Sequence, residues 1–311
     1  MKHLLPNHSN VNFDFIGDIH GHADKLKELL AKLGYTYNQK TYLHPDGRKV
    51  VFMGDLIDRG PKILEVLEIV KSMVDNGNAF TIIGNHEYNF ICYFTAIDGK
   101  YLRSHSQKNR TGIRETIEAF KNDENIIQYY VNWFRTLPIY IDHPYFRVIH
   151  AQWNLDYVKY LINQGITDLS NIDFLEKSVK PNEFENKLIN CLLKGQEIKM
   201  SGVPFLDKYS KKRESYRIKW WIAGSEIPDE EFLFDFQLPA NLSPKLFLSK
   251  GYPENDVPVF FGHYCLKNSQ PILQQNNCCC LDLCISKGGK LLSYRFNGEQ
   301  ALTNENFIMT V

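Results

Sequence analysis

The chain has 311 residues, 43% of them hydrophobic, which allows a large buried core and argues against global disorder. Lysine plus arginine equals aspartate plus glutamate at 36 each, so nothing pulls the chain as a whole toward nucleic acid or anionic lipid. Any anion binding must be local. No stretch approaches the roughly 18 apolar residues needed to cross a bilayer. The opening "MKHLLPNHSN" lacks the apolar centre of a signal peptide, so the expected address is cytoplasmic.

Residues 11–17, "VNFDFIG", alternate and end in glycine, which predicts a strand. Leu26, Leu29, Leu30 and Leu33 then recur at helical spacing, and Gly34 is a natural stop. "TYLHPDGRKVVFMG" reads as a hairpin turning at Pro45-Asp46-Gly47, with Lys49 to Met53 as the returning strand. Pro61 opens a helix that closes at Gly77. "AFTIIGN" is the next strand, and "HEYNFICYF" starts a further helix. Residues 112–137 read as helical, with Ile126, Ile127, Tyr130, Val131, Phe134 and Leu137 on one face. "PIYID" and "YFRVIH" are strands around His143-Pro144.

Between about 154 and 254 the pattern loosens into helical segments, aromatics and charges. It reads as an insertion or cap on a single domain whose core runs from about 12–152 and 257–298. "VPVFFGH" and "CCLDLCI" return to strand, and "KLLSYRF" pairs with the latter across Lys287-Gly288-Gly289. Cys278, Cys279, Cys280 and Cys284 make poor disulfide geometry as neighbours and lack zinc-ribbon spacing, so they read as small apolar core residues. The alternation of strand and helix argues for an α/β fold with parallel strands, whose sites lie at strand carboxyl ends.

Every charged cluster falls at such an end. "GDIHG" supplies Asp18 and His20; "GDLIDRG" supplies Asp55, Asp58 and Arg59; "GNHE" supplies Asn85, His86 and Glu87. "VIHA" and "FFGHYC" add His150 and His263. Mixed oxygen and nitrogen donors suit divalent Mn, Fe, Co or Zn. One carboxylate can bridge two ions, and Asp55 is central in the series. Two ions about 3.5–4 Å apart can stabilise both the attacking and the leaving oxygen of a phosphoryl transfer. Arg59 can grip a phosphate through two hydrogen bonds. His86 can protonate the leaving oxygen, and Asp58 can hold the His86 ring.

The most basic stretch is "KYSKKRESYRIKWW". Arg217 in it is a candidate second phosphate clamp on a lid, against the alternative of a solvated loop ending in a buried aromatic pair. Trp153, Tyr209, Trp220 and Trp221 are candidates for stacking a base. His3, His8, His44, His105 and His143 read as surface residues.

GDxHG, GDxxDRG and GNHE, in this order, resemble the calcineurin-like metallophosphoesterases. DRG and the Glu of GNHE resemble the phosphoprotein phosphatase branch, which also holds bacterial symmetrical diadenosine tetraphosphate hydrolases. The resemblance covers roughly 12–152 and 257–298. It implies an α/β (α+β layered) β-sandwich of mixed sheets flanked by helices, not a purely parallel sheet. It implies one metal on Asp18, His20 and Asp55, and another on Asp55, Asn85, His150 and His263. Manganese is expected first, with iron, zinc, cobalt or nickel as alternatives.

Where wider relatives carry a last histidine ligand this chain has Cys265, so either that ligand is absent or the thiol contributes. The expected activity is hydrolysis of phosphate monoesters or phosphoanhydrides by a hydroxide held between the ions. The substrate is then a phosphoprotein or a nucleotide, bound by Arg59, Asn85 and Arg217. Alternatives are a symmetrical dinucleoside polyphosphate hydrolase, a nucleic-acid-end phosphatase and a non-catalytic metal-binding protein. The sequence does not fix the oligomeric state.

Overall fold

The computed structural model describes residues 11–199, 205, 206, 212, 213, 215–223, 250–267 and 270–311. In chain order the strands that build the site are β1 (Phe13–Ile16), β2 (Lys49–Phe52), β3 (Ala79–Thr81), β4 (Tyr140–His143) and β5 (Phe146–Ile149). They are followed by β6 (Val259–Phe261), β7 (Cys278–Cys280), β8 (Asp282–Leu283), β9 (Lys290–Phe296) and β10 (Phe307–Met309). One sheet runs β8-β9-β1-β2-β3, with β10 also on β9; the other runs β7-β6-β5-β4.

Both sheets are mixed. β1, β2 and β3 are parallel, and so are β5, β6 and β7, while β9 runs antiparallel to β1 and β4 to β5. The parallel sheet predicted from periodicity alone is therefore corrected to the mixed sandwich that the resemblance implied. The reason lies in connection length. β4–β5 is joined by a tight turn and β8–β9 by a short link through a 3-10 turn at Ile285–Lys287, both too short for the crossover that parallel pairing needs.

The predicted hairpin at Pro45-Asp46-Gly47 is also corrected. The turn forms, with the Gly47 N–H donating to His44 O at 3.0 Å. However, Tyr42-Leu43 pairs with Thr36-Tyr37, and β2 pairs with β1 and β3. Val50, Val51 and Phe52 are fully buried, so both edges of β2 are taken by other core strands and none remains for a half-exposed partner.

Helices α1 (Ala23–Lys32) and α2 (Ile63–Asp75) cover the outer face of the first sheet, α1 on β9 and β10 and α2 on β3. α1 buries Leu26, Leu29 and Leu30, as their spacing predicts. α3 (Asn85–Phe94) starts immediately after β3. The single helical run expected at 112–137 is two helices, α4 (Arg114–Ala119) and α5 (Glu124–Arg135). Lys121 and Asn122, both at φ 54°, break the run, and the Asp123 carboxylate caps α5 by accepting from the Asn125 and Ile126 N–H groups. Residues beyond β5 form α6 (Leu155–Asn163), α7 (Ile172–Val179) and α8 (Phe184–Lys194).

Aromatic rings fill the space between the sheets. Phe15 of β1 stacks on Phe260 of β6 at 3.8 Å, with Phe146 and Phe296 edge-on at 5.0 and 5.8 Å. Phe261 points the other way and meets Trp220 at 5.0 Å and Trp221 at 5.3 Å. Trp220, Trp221 and Trp153 are all buried, so these three are core residues and not platforms for a base. Tyr209 lies outside the described residues. Among the histidines read as surface, His143 is buried and stacks on Phe146 at 4.5 Å. His44 is half-buried against Tyr35, and His105 is exposed. His3 and His8 lie outside the described residues.

Truncating the ring at the centre of the sandwich opens a cavity that rigid sheets cannot close. Phe15→Ala is expected to lower stability by about 3–5 kcal/mol in denaturant unfolding. The half-exposed Ile162 should tolerate alanine within about 0.5 kcal/mol.

Candidate active site

The carboxyl ends of β1, β2, β3, β5 and β6 converge at one edge of the sandwich. Their loops are laced by backbone hydrogen bonds: the Ile19 and His20 N–H groups donate to Asp55 O at 3.2 and 2.9 Å, and Gly21 N–H donates to Leu56 O at 2.9 Å. His20, Asp55, Asp58, Arg59 and His263 all take positive φ, between 45° and 70°. Non-glycine residues rarely adopt this region, and clusters of such residues mark sites where function constrains the backbone. Gly84 and Gly262 permit close approaches to two of the carboxylates. A Cβ on Gly84 would lie 2.2 Å from Asp55 Oδ1, and one on Gly262 would lie 2.0 Å from Asp18 Oδ1.

Donor atoms cluster in two groups, His20–Asp55–His86 and Asp55–His150–His263, each within 4.8 Å. Asp55 belongs to both. Its Oδ2 lies 3.6 Å from His20 Nε2, and its Oδ1 lies 3.4 Å from His150 Nε2. Each of these rings is turned by a carbonyl behind it: His20 Nδ1 donates to Ile57 O at 2.9 Å, and His150 Nδ1 to Met53 O at 2.7 Å. A carbonyl only accepts, so both rings present Nε2 to Asp55.

Asn85 Oδ1 is 3.2 Å from His150 Nε2, beside the second group. Asp18 lies outside both groups; its carboxylate accepts the His263 N–H at 3.1 Å. Arg217 lies 6.0 Å above the Tyr264 ring, close enough for its charge to act on His263.

His86 Nδ1 donates to Asp58 Oδ2 at 2.6 Å. Arg59 bridges the mouth of the cluster, donating to His20 Nε2 and His86 Nε2, each at 2.9 Å, and to Ser286 Oγ at 3.0 Å.

Burial, then the charge of His86, hold His20 well below the ordinary histidine range, and burial followed by Arg217 does the same to His263. Burial alone would raise Asp55, but His150 and His86 outweigh it and hold this carboxylate well below its usual range. Burial opposes charge on His150 and His86 too; Asp55 overcomes it, lifting His150 to about 10 and raising His86 with help from Asp58. Burial, then Asp282, raise Asp18.

The chain matches the calcineurin-like phosphoesterase family over residues 11–278. It belongs to that family. It is similar to a bis(5′-nucleosyl)-tetraphosphatase of Halalkalibacterium halodurans, designated asymmetrical, with 53% identity over 76 residues, 24% of this chain and 31% of the relative. A Geobacillus protein of the same name is 31% identical over 155 residues, 48% of this chain and 60% of the relative. The chain thus spans less than two thirds of the length of these curated relatives. A serine/threonine phosphatase from Saccharomyces cerevisiae is similar in fold, with a TM-score of 0.52 at 16% identity over 99% of this chain and 82% of that one.

Calcineurin-like phosphoesterases use a dimetal centre, and the donors here fit one. His263 Nε2 is buried with no hydrogen-bond partner among the described residues, within the Asp55–His150–His263 group. On the other side, the Arg59 guanidinium stands as a cation against His20 Nε2. A carboxylate shared between imidazoles is the donor set that hard-to-borderline divalent ions take, and an ion bound there would displace the proton that His150 otherwise holds.

Two further residues, to which the sequence assigned no role, shape the site. Glu87 is fully buried and accepts four backbone N–H groups: Asp55 (2.9 Å) and Gly84 (3.0 Å) on Oε2, Leu56 (2.8 Å) and Ile57 (3.2 Å) on Oε1. Burial, then the Asp55 charge, push its carboxyl up to about 7. The Thr116 hydroxyl on α4 donates to Asp58 Oδ1 and accepts the Asp58 N–H at 3.1 Å. Only "GNHE" offered a sequence signal for Glu87; nothing near Thr116 distinguishes it from other helix threonines.

Cysteine provides a correction. Cys265 is bonded to Cys284, 19 residues away, so it is no thiol ligand and Cys284 is no simple core residue. Asp282 accepts the N–H groups of both Cys265 (2.7 Å) and Cys284 (2.8 Å), which brings their Cα atoms to 4.5 Å. Cys278, Cys279 and Cys280 are free and buried in β7, as read from the sequence. Disulfides are rare in reducing compartments, so this bond and the expected cytoplasmic address pull in different directions.

Removing the Thr116 hydroxyl loosens Asp58 and, through it, the His86 ring. Thr116→Val is expected to lower kcat by about 10-fold or more at unchanged KM, within the range of a mispositioned acid–base group. Thr116→Ser should restore it; equal loss in both variants would make the residue a packing group only.

Proposed function

We propose that the chain hydrolyses phosphate esters and phosphoanhydrides with two divalent cations, manganese preferred, and that dinucleoside polyphosphates are its favoured substrates. The observation that carries the reading is the placement of Arg59 and the Asp58–His86 pair against a carboxylate common to two donor groups. The reading assigns Asp18, His20 and Asp55 to one ion and Asp55, Asn85, His150 and His263 to the other. Bound there, the ions supply activated water and charge neutralisation.

The chain's own residues do the rest. Arg59 is exposed at the mouth, so its guanidinium can turn from the two histidines to an incoming phosphate and hold it with paired hydrogen bonds. Releasing His86 Nε2 leaves that atom facing the phosphate, with Asp58 fixing the ring behind it. Asp58 and Asp55 favour the protonated imidazole, so His86 can give a proton to the leaving oxygen. Arg217, on the His263 side, offers a second positive charge for the same phosphate chain.

Similarity to proteins named asymmetrical bis(5′-nucleosyl)-tetraphosphatases supports the nucleotide over a phosphoprotein. In this reading the enzyme is cytoplasmic and works without a membrane partner. No described helix is long and apolar enough to cross a membrane.

The test is an assay of chelator-treated protein with Mn²⁺ added, on diadenosine tetraphosphate, p-nitrophenyl phosphate and a phosphopeptide. Expected is metal-dependent turnover, fastest on the dinucleotide, that falls by about 10²–10⁴-fold in His86→Asn. Unequal nucleotide products would mark asymmetrical cleavage and equal ones symmetrical cleavage. A phosphopeptide preference would overturn the substrate assignment, and metal-independent turnover would overturn the mechanism.

A further inference from the structure

A cleft of about 610 Å³ opens beside the site, between Leu266, Lys267 and Gln270 on one side and residues 283–290 on the other. Leu266, Leu283 and Cys284 supply an apolar side, and Lys267, Lys287 and Lys290 line the rest, with no carboxylate among the lining residues. The volume is that of a pocket for a nucleotide-sized molecule. Its charge is that of an anion site on a chain whose net charge is zero.

The cleft is joined to the site at one point. Its wall runs through Cys284 and Lys287, and Ser286 between them accepts from Arg59 Nη1 at 3.0 Å. Ser286, which accepts from Arg59, is therefore the immediate chain neighbour of Lys287, the first lysine of that wall. The wall is held in place from behind. Asp282 accepts N–H groups from both sides of it, Cys265–Cys284 links them covalently, and Lys287 Nζ lies 2.8 Å from Cys265 Sγ. Gly289 makes the turn possible, since a Cβ there would meet Leu283 O at 1.7 Å.

We propose that this cleft binds the distal nucleotide of the phosphoanhydride substrate, its phosphates on Lys267, Lys287 and Lys290 and its nucleoside against Leu266 and Leu283. The assignment rests on the reading of the site as a phosphohydrolase with nucleotide substrates, which it extends by placing the half of the molecule that is not cleaved. Charge complementarity and continuity with Arg59 select this occupant. A cleft with an apolar side and clustered lysines suits a nucleotide, whereas an extended peptide needs a long groove or a free strand edge.

The experiment uses the full chain with Lys267→Gln, Lys287→Gln and Lys290→Gln combined, and Lys287→Glu as a second variant. Binding of ADP is measured by calorimetry, and turnover on p-nitrophenyl phosphate, which is too small to reach the cleft, is measured alongside. Expected is at least about tenfold weaker ADP binding in both variants, as for loss of charge-assisted hydrogen bonds, with p-nitrophenyl phosphate turnover unchanged. Unaltered ADP binding, or none by the wild-type chain, overturns the subsite. A phosphopeptide whose affinity falls in the variants while that of ADP does not overturns the nucleotide assignment in favour of a protein substrate. If ADP binds through the lysines but diadenosine tetraphosphate is not hydrolysed, the subsite stands and the substrate proposed above does not.

Discussion

Glu87 is the carboxylate on which the rest of the site depends. It lies fully buried, three positions into α3, and its two oxygens collect four backbone N–H groups from the loops after β2 and β3. A buried anion is costly unless fully hydrogen-bonded, and here every donor comes from the segment that must be held. The loop thereby folds with Asp55 at φ 50° and pointing into the sandwich edge, where two groups of imidazoles meet it. The same helix start carries Asn85 and His86, and His86 N–H closes the arrangement by donating to Asp55 Oδ1 at 3.0 Å. One interaction sets both the shared carboxylate and the candidate proton donor.

Strain and burial are balanced across the molecule. Five site residues at positive φ cost on the order of 1–3 kcal/mol each. The sandwich interior offsets this through stacked and edge-on rings from both sheets, each worth about 1.5–3 kcal/mol on burial. The rigidity of that interior also keeps the five strand ends in register, so donor groups far apart in sequence come within 4.8 Å of one another in each of two clusters that share Asp55. The outer loops are braced differently, by Asp282 and by Cys265–Cys284, and these connect the candidate metal site to the lysine-lined cleft.

Much of the site was legible in the sequence because its residues follow apolar strands in compact motifs, where residue type and position both carry information. GDIHG, GDLIDRG and GNHE announce themselves. Sheet direction was not legible from periodicity, because a buried parallel strand and a buried antiparallel strand such as β9 present the same apolar run. Nor was the partner of Tyr42-Leu43, since turn chemistry at Pro45–Gly47 says that the chain reverses but not which edge is free. Thr116, Ser286 and Asp282 act through contacts 58, 227 and 17 positions distant, and Cys265 through one 19 away. Such residues carry no local pattern that would separate them from any surface serine, threonine or aspartate.

The measurement that tests the central claim most directly is anomalous X-ray diffraction from crystals of the chain grown with Mn²⁺. The account predicts two peaks about 3.5–4 Å apart, flanking the Asp55 carboxylate, with His263 Nε2 directed at one of them. A single peak, or ions bound elsewhere while Asp55 contacts none, would contradict it.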